Sequence, residues 1–227
     1  SKTKMCLYAG SLVPKEILSI VPKEAKLIDT SDLTMKQIEQ LYIRAKELNV
    51  DVARVHSGDV SVYGALSEQI NLLQKHNIDF QIVPGIPAYV EAAAQLKTEL
   101  TAPGQVQSVI LTRTSFGSTP MPEGEDLKTF AKTGATLVIH LSIRRLNYIY
   151  RELTPILGDD AIVAVLYRIG WPDQQIILDR LDNIASRVRE KKITRTALII
   201  TGKNFKKKSD INSVLYDENF NHLFRPK

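Results

Sequence analysis

The stretch Arg54-Val55-His56-Ser57-Gly58-Asp59-Val60-Ser61-Val62-Tyr63 decides the fold class. It follows the apolar pair Val52-Ala53, which reads as the start of a strand. It precedes a helix-like run, Gly64-Ala65-Leu66-Ser67-Glu68-Gln69-Ile70. Open α/β sheets place ligands at such strand-to-helix turns, because backbone N–H groups are exposed there and glycine lets another molecule approach closely. An aspartate in the turn accepts hydrogen bonds from a hydroxyl or an ammonium. The plainer reading makes Asp59 the cap of the following helix.

Working outward, apolar runs alternate with helical patterns. Strands are predicted over Cys6–Ala9, Ala25–Asp29, Val50–Val55 and Phe80–Val83, with short or full helices over Lys15–Ile20, Met35–Leu48, Ala65–Lys75 and Ala88–Leu96. Thr34 and Gln37 stand at capping-box positions, and Ile38, Leu41, Tyr42 and Ala45 share one helix face. This rhythm implies parallel strands joined by helical crossovers. Thr101-Ala102-Pro103-Gly104 reads as a hinge, which divides the chain into domains 1–102 and 103–227. Beyond it, strands are expected over Val106–Arg113, Ala135–Leu141, Ala161–Tyr167, Gln175–Arg180 and Thr196–Thr201. Helices are expected over Asp126–Lys132, Arg144–Leu153 (capped by Ser142) and Leu181–Glu190. The turn Trp171-Pro172-Asp173 suggests a hairpin, so the second sheet is predicted to be mixed.

Composition bounds the function. The 227 residues are 44% apolar and 24% charged, as in a soluble globular protein. The longest apolar runs, such as Ala161–Leu166, are too short to span a bilayer, and no secretory leader is visible. Cys6 is the only cysteine, which excludes an internal disulfide and a cysteine zinc site, and a cytoplasmic location is the default expectation. His76, His140 and His222 show no metal-ligand spacing, so no metal site is expected. The net charge is +5, with Lys203, Lys206, Lys207 and Lys208 clustered near the end. Such a run is usually a solvated segment. No aromatic interleaving of the kind that stacks bases accompanies it, which favours a small polyanionic substrate over nucleic acid. No G-x-G-x-x-G follows a strand, which disfavours a Rossmann dehydrogenase.

Several motifs taken in order resemble the tetrapyrrole (corrin/porphyrin) methylases. Leu7–Pro14 resembles the segment after that family's first helix. His56–Gly64 resembles its Gly-Asp turn, and Val83-Pro84-Gly85-Ile86-Pro87-Ala88 its Val-Pro-Gly turn. Leu111-Thr112-Arg113, Thr119–Glu125, Tyr167-Arg168 with Trp171-Pro172-Asp173, and Ile193–Leu198 resemble the family's precorrin-4 C11-methyltransferases. The tail Leu215-Tyr216-Asp217, with His222 and Phe224-Arg225, fits the same pattern. Val60 stands where the family usually has Pro, and Pro87 where it has Ser or Thr. The family pattern also begins with a strand, a Gly-rich turn and a helix ahead of the Leu7 segment. Only six residues precede Leu7, so that strand, that helix and one wall of the cofactor site are expected to be missing from the chain.

The resemblance implies two α/β domains, a parallel sheet in the first and a mixed sheet in the second, with the active site in the cleft between them. It implies methyl transfer from S-adenosylmethionine, with S-adenosylhomocysteine as product, to a polycarboxylate tetrapyrrole of cobalamin synthesis, by a homodimer binding neither membrane nor nucleic acid. On the family pattern the cofactor residues are Ser57, Gly58, Asp59, Val62, Tyr63, Pro87, Ala88, Leu141, Tyr167 and Ala197. Substrate contacts fall to Tyr8, Ser11, Arg113, Met121 and Arg168, the arginines because their forks suit carboxylates. No acid–base catalytic residue is assigned. His56 is either a proton shuttle or a structural histidine. Alternatives are a truncated or inactive module of the same fold, or an RNA-modifying methyltransferase.

Overall fold

The computed structural model describes residues 3–115, 119–205, 213, 220, 221, 223 and 225. Lys206, Lys207, Lys208, Leu215, Tyr216, Asp217, His222 and Phe224, singled out above, lie outside the described residues. By its internal contacts the chain forms two compact units, Ser1–Ala88 and Tyr89–Lys227. This division falls ahead of the hinge read at 101–104, with one helix between the two positions.

The first unit holds a parallel sheet of three strands, β1 (Met5–Tyr8), β2 (Lys26–Asp29) and β3 (Val52–Val55), in the order β2-β1-β3. A single turn, α1 (Lys15–Leu18), follows Pro14, whose fixed φ suits a helix start. Helix α2 (Met35–Glu47) opens with the capping box read from sequence: the Thr34 side chain accepts from the Gln37 amide, and the Gln37 side chain accepts from the Thr34 amide. Its face of Ile38, Tyr42 and Ala45 packs with Met5 and Leu7, flanked by Leu41, Val52 and Leu73. Helix α3 (Leu66–Lys75) follows β3.

Phe80–Val83 corrects the sequence reading. These residues form no strand, and all of them are exposed. Their composition suits a strand, but a strand exists only where a neighbour supplies ladder hydrogen bonds. Here β3 pairs with β1 alone.

In the second unit, α4 (Ala88–Leu96, with its first residue still in unit one) leads to a five-stranded mixed sheet. Its strands are β4 (Val109–Arg113), β5 (Thr136–His140), β6 (Ile162–Tyr167), β7 (Gln175–Arg180) and β8 (Ala197–Thr201), in the order β4-β5-β8-β6-β7. β4 and β5 are parallel, and the remaining pairs are antiparallel, including the β6–β7 hairpin expected from Trp171-Pro172. Helices α5 (Leu127–Lys132), α6 (Leu146–Leu157) and α7 (Ile184–Glu190) cover it. The unbroken apolar runs of β5, β6 and β8 are buried on both faces, as central strands require, whereas β7 at the edge is largely exposed. Leu137, Ile139, Ile149, Leu153, Leu181, Ile184 and Ile199 are completely buried in this core. Ser142 does not cap a helix with its side chain. It precedes a 3-10 turn (Ile143–Arg145), donates to the His140 carbonyl and accepts from the Thr114 amide and hydroxyl.

Thr34→Ala removes an exposed helix cap without touching the core. It is expected to lower the unfolding free energy by about 0.5–2 kcal/mol in urea denaturation, with the slope of the transition unchanged.

Candidate active site

In the first unit the sequence-predicted residues gather at the carboxyl end of the parallel strands, where open α/β sheets bind ligands. Two turns meet there, Ser57–Tyr63 after β3 and Pro84–Ala88 before α4. Gly58 adopts a φ of +67°, which glycine tolerates without strain. At Gly85 an added Cβ would overlap the Gly58 carbonyl oxygen, so the two backbones touch. Asp59 joins them. One carboxylate oxygen accepts from the Gly85 amide at 2.8 Å, and the other accepts from the Ser61 amide at 2.9 Å and from the Ser61 hydroxyl. These bonds hold the Asp59 carboxyl below the ordinary aspartate range. Asp59 therefore caps its own turn and clamps a second one. It does not cap α3, whose N-cap position is Ala65 at φ +50°. Tyr63, at φ +54° and 46% exposed, follows Val62 on the same turn, and Pro87 and Ala88 complete the facing one. Non-glycine residues in this region cost about 1–3 kcal/mol each and persist where the surroundings impose them.

A second clamp escaped the sequence reading. Asp29 Oδ1 accepts from the Ser31 amide at 2.9 Å, the Ser31 hydroxyl at 2.6 Å and the Gly10 amide at 2.9 Å. Its pKa is also lowered, first by the Ser31 hydroxyl. The Ser11 amide donates to the Ser31 hydroxyl at 3.3 Å, so the Tyr8–Ser11 turn is fixed to the end of β2. The signal was available: Asp29-Thr30-Ser31 and Asp59-Val60-Ser61 share one Asp-x-Ser spacing.

Under these turns lies a polar network. Arg54 donates from Nη1 to the Thr30 hydroxyl at 2.7 Å and from Nε to Gln69 Oε1 at 3.3 Å, and the Tyr42 hydroxyl also donates to Gln69 Oε1. Burial and the neighbouring Arg54 charge depress the His56 pKa, which keeps the imidazole neutral near pH 7. That places His56 with the structural reading more than with the proton shuttle.

In the second unit, strand register brings the remaining predicted residues to one rim. Tyr167 pairs with Ala197, and Arg113 with His140. Leu141 follows the last residue of β5. Leu141 (φ +54°), Arg168 (φ +47°) and Thr196 (φ +52°) all take left-handed backbone at this rim, and Leu141 is 70% exposed. Arg113 turns inward to its own loop, donating to the carbonyls of Thr114, Thr119 and Pro120 at 3.1–3.2 Å. The Met121 amide is held by the Ser115 hydroxyl at 3.1 Å. Arg168 lies 3.8 Å from the centroid of the Trp171 ring and pairs with Asp173 at 2.7 Å. A cation over an indole face contributes about 0.5–2 kcal/mol. Gln174, in the same turn, donates to Gln95 of α4 at 3.4 Å.

The sequence profile of the Tetrapyrrole (Corrin/Porphyrin) Methylases matches residues 2–185. The chain belongs to this family. A precorrin-4 C(11)-methyltransferase of Sinorhizobium sp is 43% identical over 97% of this chain and 87% of its own length. A cobalt-precorrin-4 C(11)-methyltransferase of Methanocaldococcus jannaschii is 39% identical over 96% of this chain and 85% of its own. Among solved structures, a cobalt precorrin-4 methyltransferase superposes with a TM-score of 0.86 at 32% identity, covering 90% of this chain and 85% of that one. A Thermus thermophilus uroporphyrin-III C-methyltransferase, solved with S-adenosylhomocysteine, shares the fold at a TM-score of 0.72 and 22% identity over 90% of this chain. No group of His, Cys, Asp and Glu able to hold a metal occurs among the described residues, and no helix there is long and apolar enough to cross a membrane.

The clamp and the rim titrate in different windows. Burial pushes the His140 pKa down to about 4. The unfolded chain therefore binds the extra proton below about pH 6.5, and stability falls as pH drops from there toward 4. The depressed Asp29 and Asp59 values act lower. Their contribution is complete above about pH 4 and is lost as pH falls through the folded values. Urea unfolding against pH should show His140→Gln reducing the slope of the upper window, where the depressed His56 still contributes, and Asp59→Asn reducing the slope of the lower window, where Asp29 still contributes.

Proposed function

We propose that this chain transfers a methyl group from S-adenosylmethionine to C11 of precorrin-4 or cobalt-precorrin-4 in cobalamin biosynthesis. The observation that carries this reading is the near-complete alignment with precorrin-4 C11-methyltransferases at 43% identity. The reading extends to a homodimer acting in the cytoplasm; a single-chain mass in sedimentation equilibrium removes the dimer.

The turns suit such a cofactor. Gly58 and Gly85 let the two turns' backbones pack against each other, and Ala88 adds little bulk beside them. A carboxylate has about four acceptor positions, and the clamp uses three of those on Asp59, which leaves one for a hydroxyl or ammonium. Ser57, Gly58, Asp59, Val62, Tyr63, Pro87 and Ala88 would hold the cofactor from the first unit, and Leu141, Tyr167 and Ala197 from the second. When bound, S-adenosylmethionine supplies a methyl group on a sulfonium, a leaving group that needs no protonation.

The residues themselves are left with orientation and exclusion of water. Fixing the reacting partners in line is worth about 7–11 kcal/mol of barrier. Tyr8, Ser11, Met121 and Arg168 are the substrate contacts. Arg168 keeps N–H donors beyond Nη1, which is committed to Asp173. Arg113 acts through the loop it braces, as a positioning residue for Met121.

Incubation with S-adenosylmethionine and either metal-free or cobalt-loaded precorrin-4 is expected to add one methyl to one of these acceptors, with S-adenosylhomocysteine released in equal amount. Absence of methyl transfer to both acceptors, in a preparation that binds S-adenosylhomocysteine by calorimetry, rejects the substrate assignment. In an active preparation, Asp59→Ala should weaken S-adenosylhomocysteine binding about tenfold or more by freeing Gly85. Arg168→Ala should raise KM for the acceptor about tenfold, with Arg168→Lys recovering only part of the loss.

A further inference from the structure

Asp29 uses its two carboxylate oxygens unequally. Oδ1 takes three donors, the Ser31 amide, the Ser31 hydroxyl and the Gly10 amide, and its acceptor positions are filled. Oδ2 receives no donor among the described residues. Asp59 differs, because its donors are shared between both oxygens. The open oxygen of Asp29 is also fixed in place. A Cβ at Gly10 would lie 2.0 Å from Oδ2 and 2.7 Å from the carboxyl carbon, so the group rests directly on the Gly10 backbone. Asp29 ends β2 in register with Tyr8 of β1, and the Thr30 amide and hydroxyl both donate to the Tyr8 carbonyl, at 2.8 and 3.0 Å. An exposed, rigidly held carboxylate oxygen therefore stands on the Tyr8–Ser11 turn, beyond what the clamp itself requires.

The chemistry of the proposed acceptor narrows what this oxygen can take. An ionised carboxylate only accepts hydrogen bonds. The peripheral carboxylates of a tetrapyrrole are themselves ionised near neutrality and have no proton to offer. The donors left on a metal-free ring are its N–H groups. Charge points the same way. As the methyl group moves, the C–S bonding pair stays on sulfur, which becomes neutral, and the ring carbon supplies the pair for the new C–C bond. The positive charge passes to the ring and stays there until a ring N–H gives its proton to water. A fixed anion at an N–H stabilises that charge as it forms. We infer that Asp29 is a catalytic contact of the acceptor, its Oδ2 accepting a hydrogen bond from a ring N–H of the metal-free tetrapyrrole. This rests on the methyl-transfer reading above and adds to it a choice between the two acceptors, because a cobalt-loaded ring holds the metal on its nitrogens. No proton passes to Asp29. The donors from Ser31 and Gly10 lower its pKa and keep it ionised.

Steady-state methyl transfer to metal-free and cobalt-loaded precorrin-4 tests this in Asp29→Asn and Gly10→Ala, with S-adenosylhomocysteine affinity followed by calorimetry. Asparagine keeps one oxygen for the Ser31 and Gly10 donors and replaces the other with an amino group. Gly10 does not take left-handed backbone, so alanine there displaces the carboxylate without removing its charge. With the metal-free acceptor each variant should lower kcat about tenfold to a hundredfold, the range of a hydrogen bond to a charged group, while S-adenosylhomocysteine affinity stays within about twofold. The loss should be about fivefold or more smaller with the cobalt-loaded acceptor. Wild-type kcat in either variant on the metal-free acceptor overturns the inference. So does an equal loss on both acceptors, a parallel loss of S-adenosylhomocysteine affinity, or a wild-type protein that methylates the cobalt-loaded acceptor alone. A wild-type protein that methylates neither acceptor rejects the methyl-transfer reading itself, and this inference with it.

Discussion

The cofactor turns proposed for the first unit depend on one carboxylate. Asp59 bonds its own turn through Ser61 and the opposite turn through the Gly85 amide. Gly58 and Gly85 touch through their backbones, so neither turn can move without the other. Asp29 repeats the device between the ends of β1 and β2. Loops at the carboxyl end of a parallel sheet are ordinarily its most mobile part. Here three of them are tied by charge-assisted hydrogen bonds, which are stronger than neutral ones. The result is a set of exposed backbone groups that need not reorganise to meet a ligand.

The second unit reaches a similar end by other means. Strand register pairs Tyr167 with Ala197, and left-handed residues, Leu141 among them, turn the chain at the ends of β5 and β6 and just ahead of β8. The Trp171 indole and Asp173 then restrain Arg168 from two sides. The titratable groups of the first unit's turns stay in one form near neutrality, Asp59 ionised and His56 neutral. Such groups are poorly placed to exchange protons with a substrate near pH 7. They are well placed to hold one still, which is what transfer from a sulfonium to a carbon requires.

What could be read from the sequence was local. The Thr34–Gln37 box, α4 over Ala88–Leu96 and the apolar runs of β5, β6 and β8 carry their signals within a few residues. The parallel and mixed character of the two sheets followed from helical crossovers and from the Trp171-Pro172 turn. The misreadings are non-local. Phe80–Val83 has strand composition but no partner. Ser142 precedes a helical pattern, yet its hydroxyl is committed to Thr114 and His140. Among the candidate site residues, family pattern picked out Ser57–Asp59 and Pro87–Ala88, but not that Asp59 reaches across to Gly85. Nor did it reveal that the Arg113 guanidinium is occupied by the carbonyls of its own loop.

The same geometry explains why two departures from the family pattern are harmless to the turns. A proline in place of Val60 would fix φ there and stiffen the turn. In this chain the stiffness has other sources. Asp59 accepts from both the amide and the hydroxyl of Ser61, and Gly64 packs so closely on the Val60 carbonyl that a Cβ would overlap it. A hydroxyl in place of Pro87 would add one hydrogen-bonding group to the turn. The register between the turns does not depend on it, because the bond that sets their spacing comes from the backbone amide of Gly85. The contacts that set the turns' spacing are therefore backbone contacts, anchored by one carboxylate and permitted by two glycines, and positions 60 and 87 are free to vary around them.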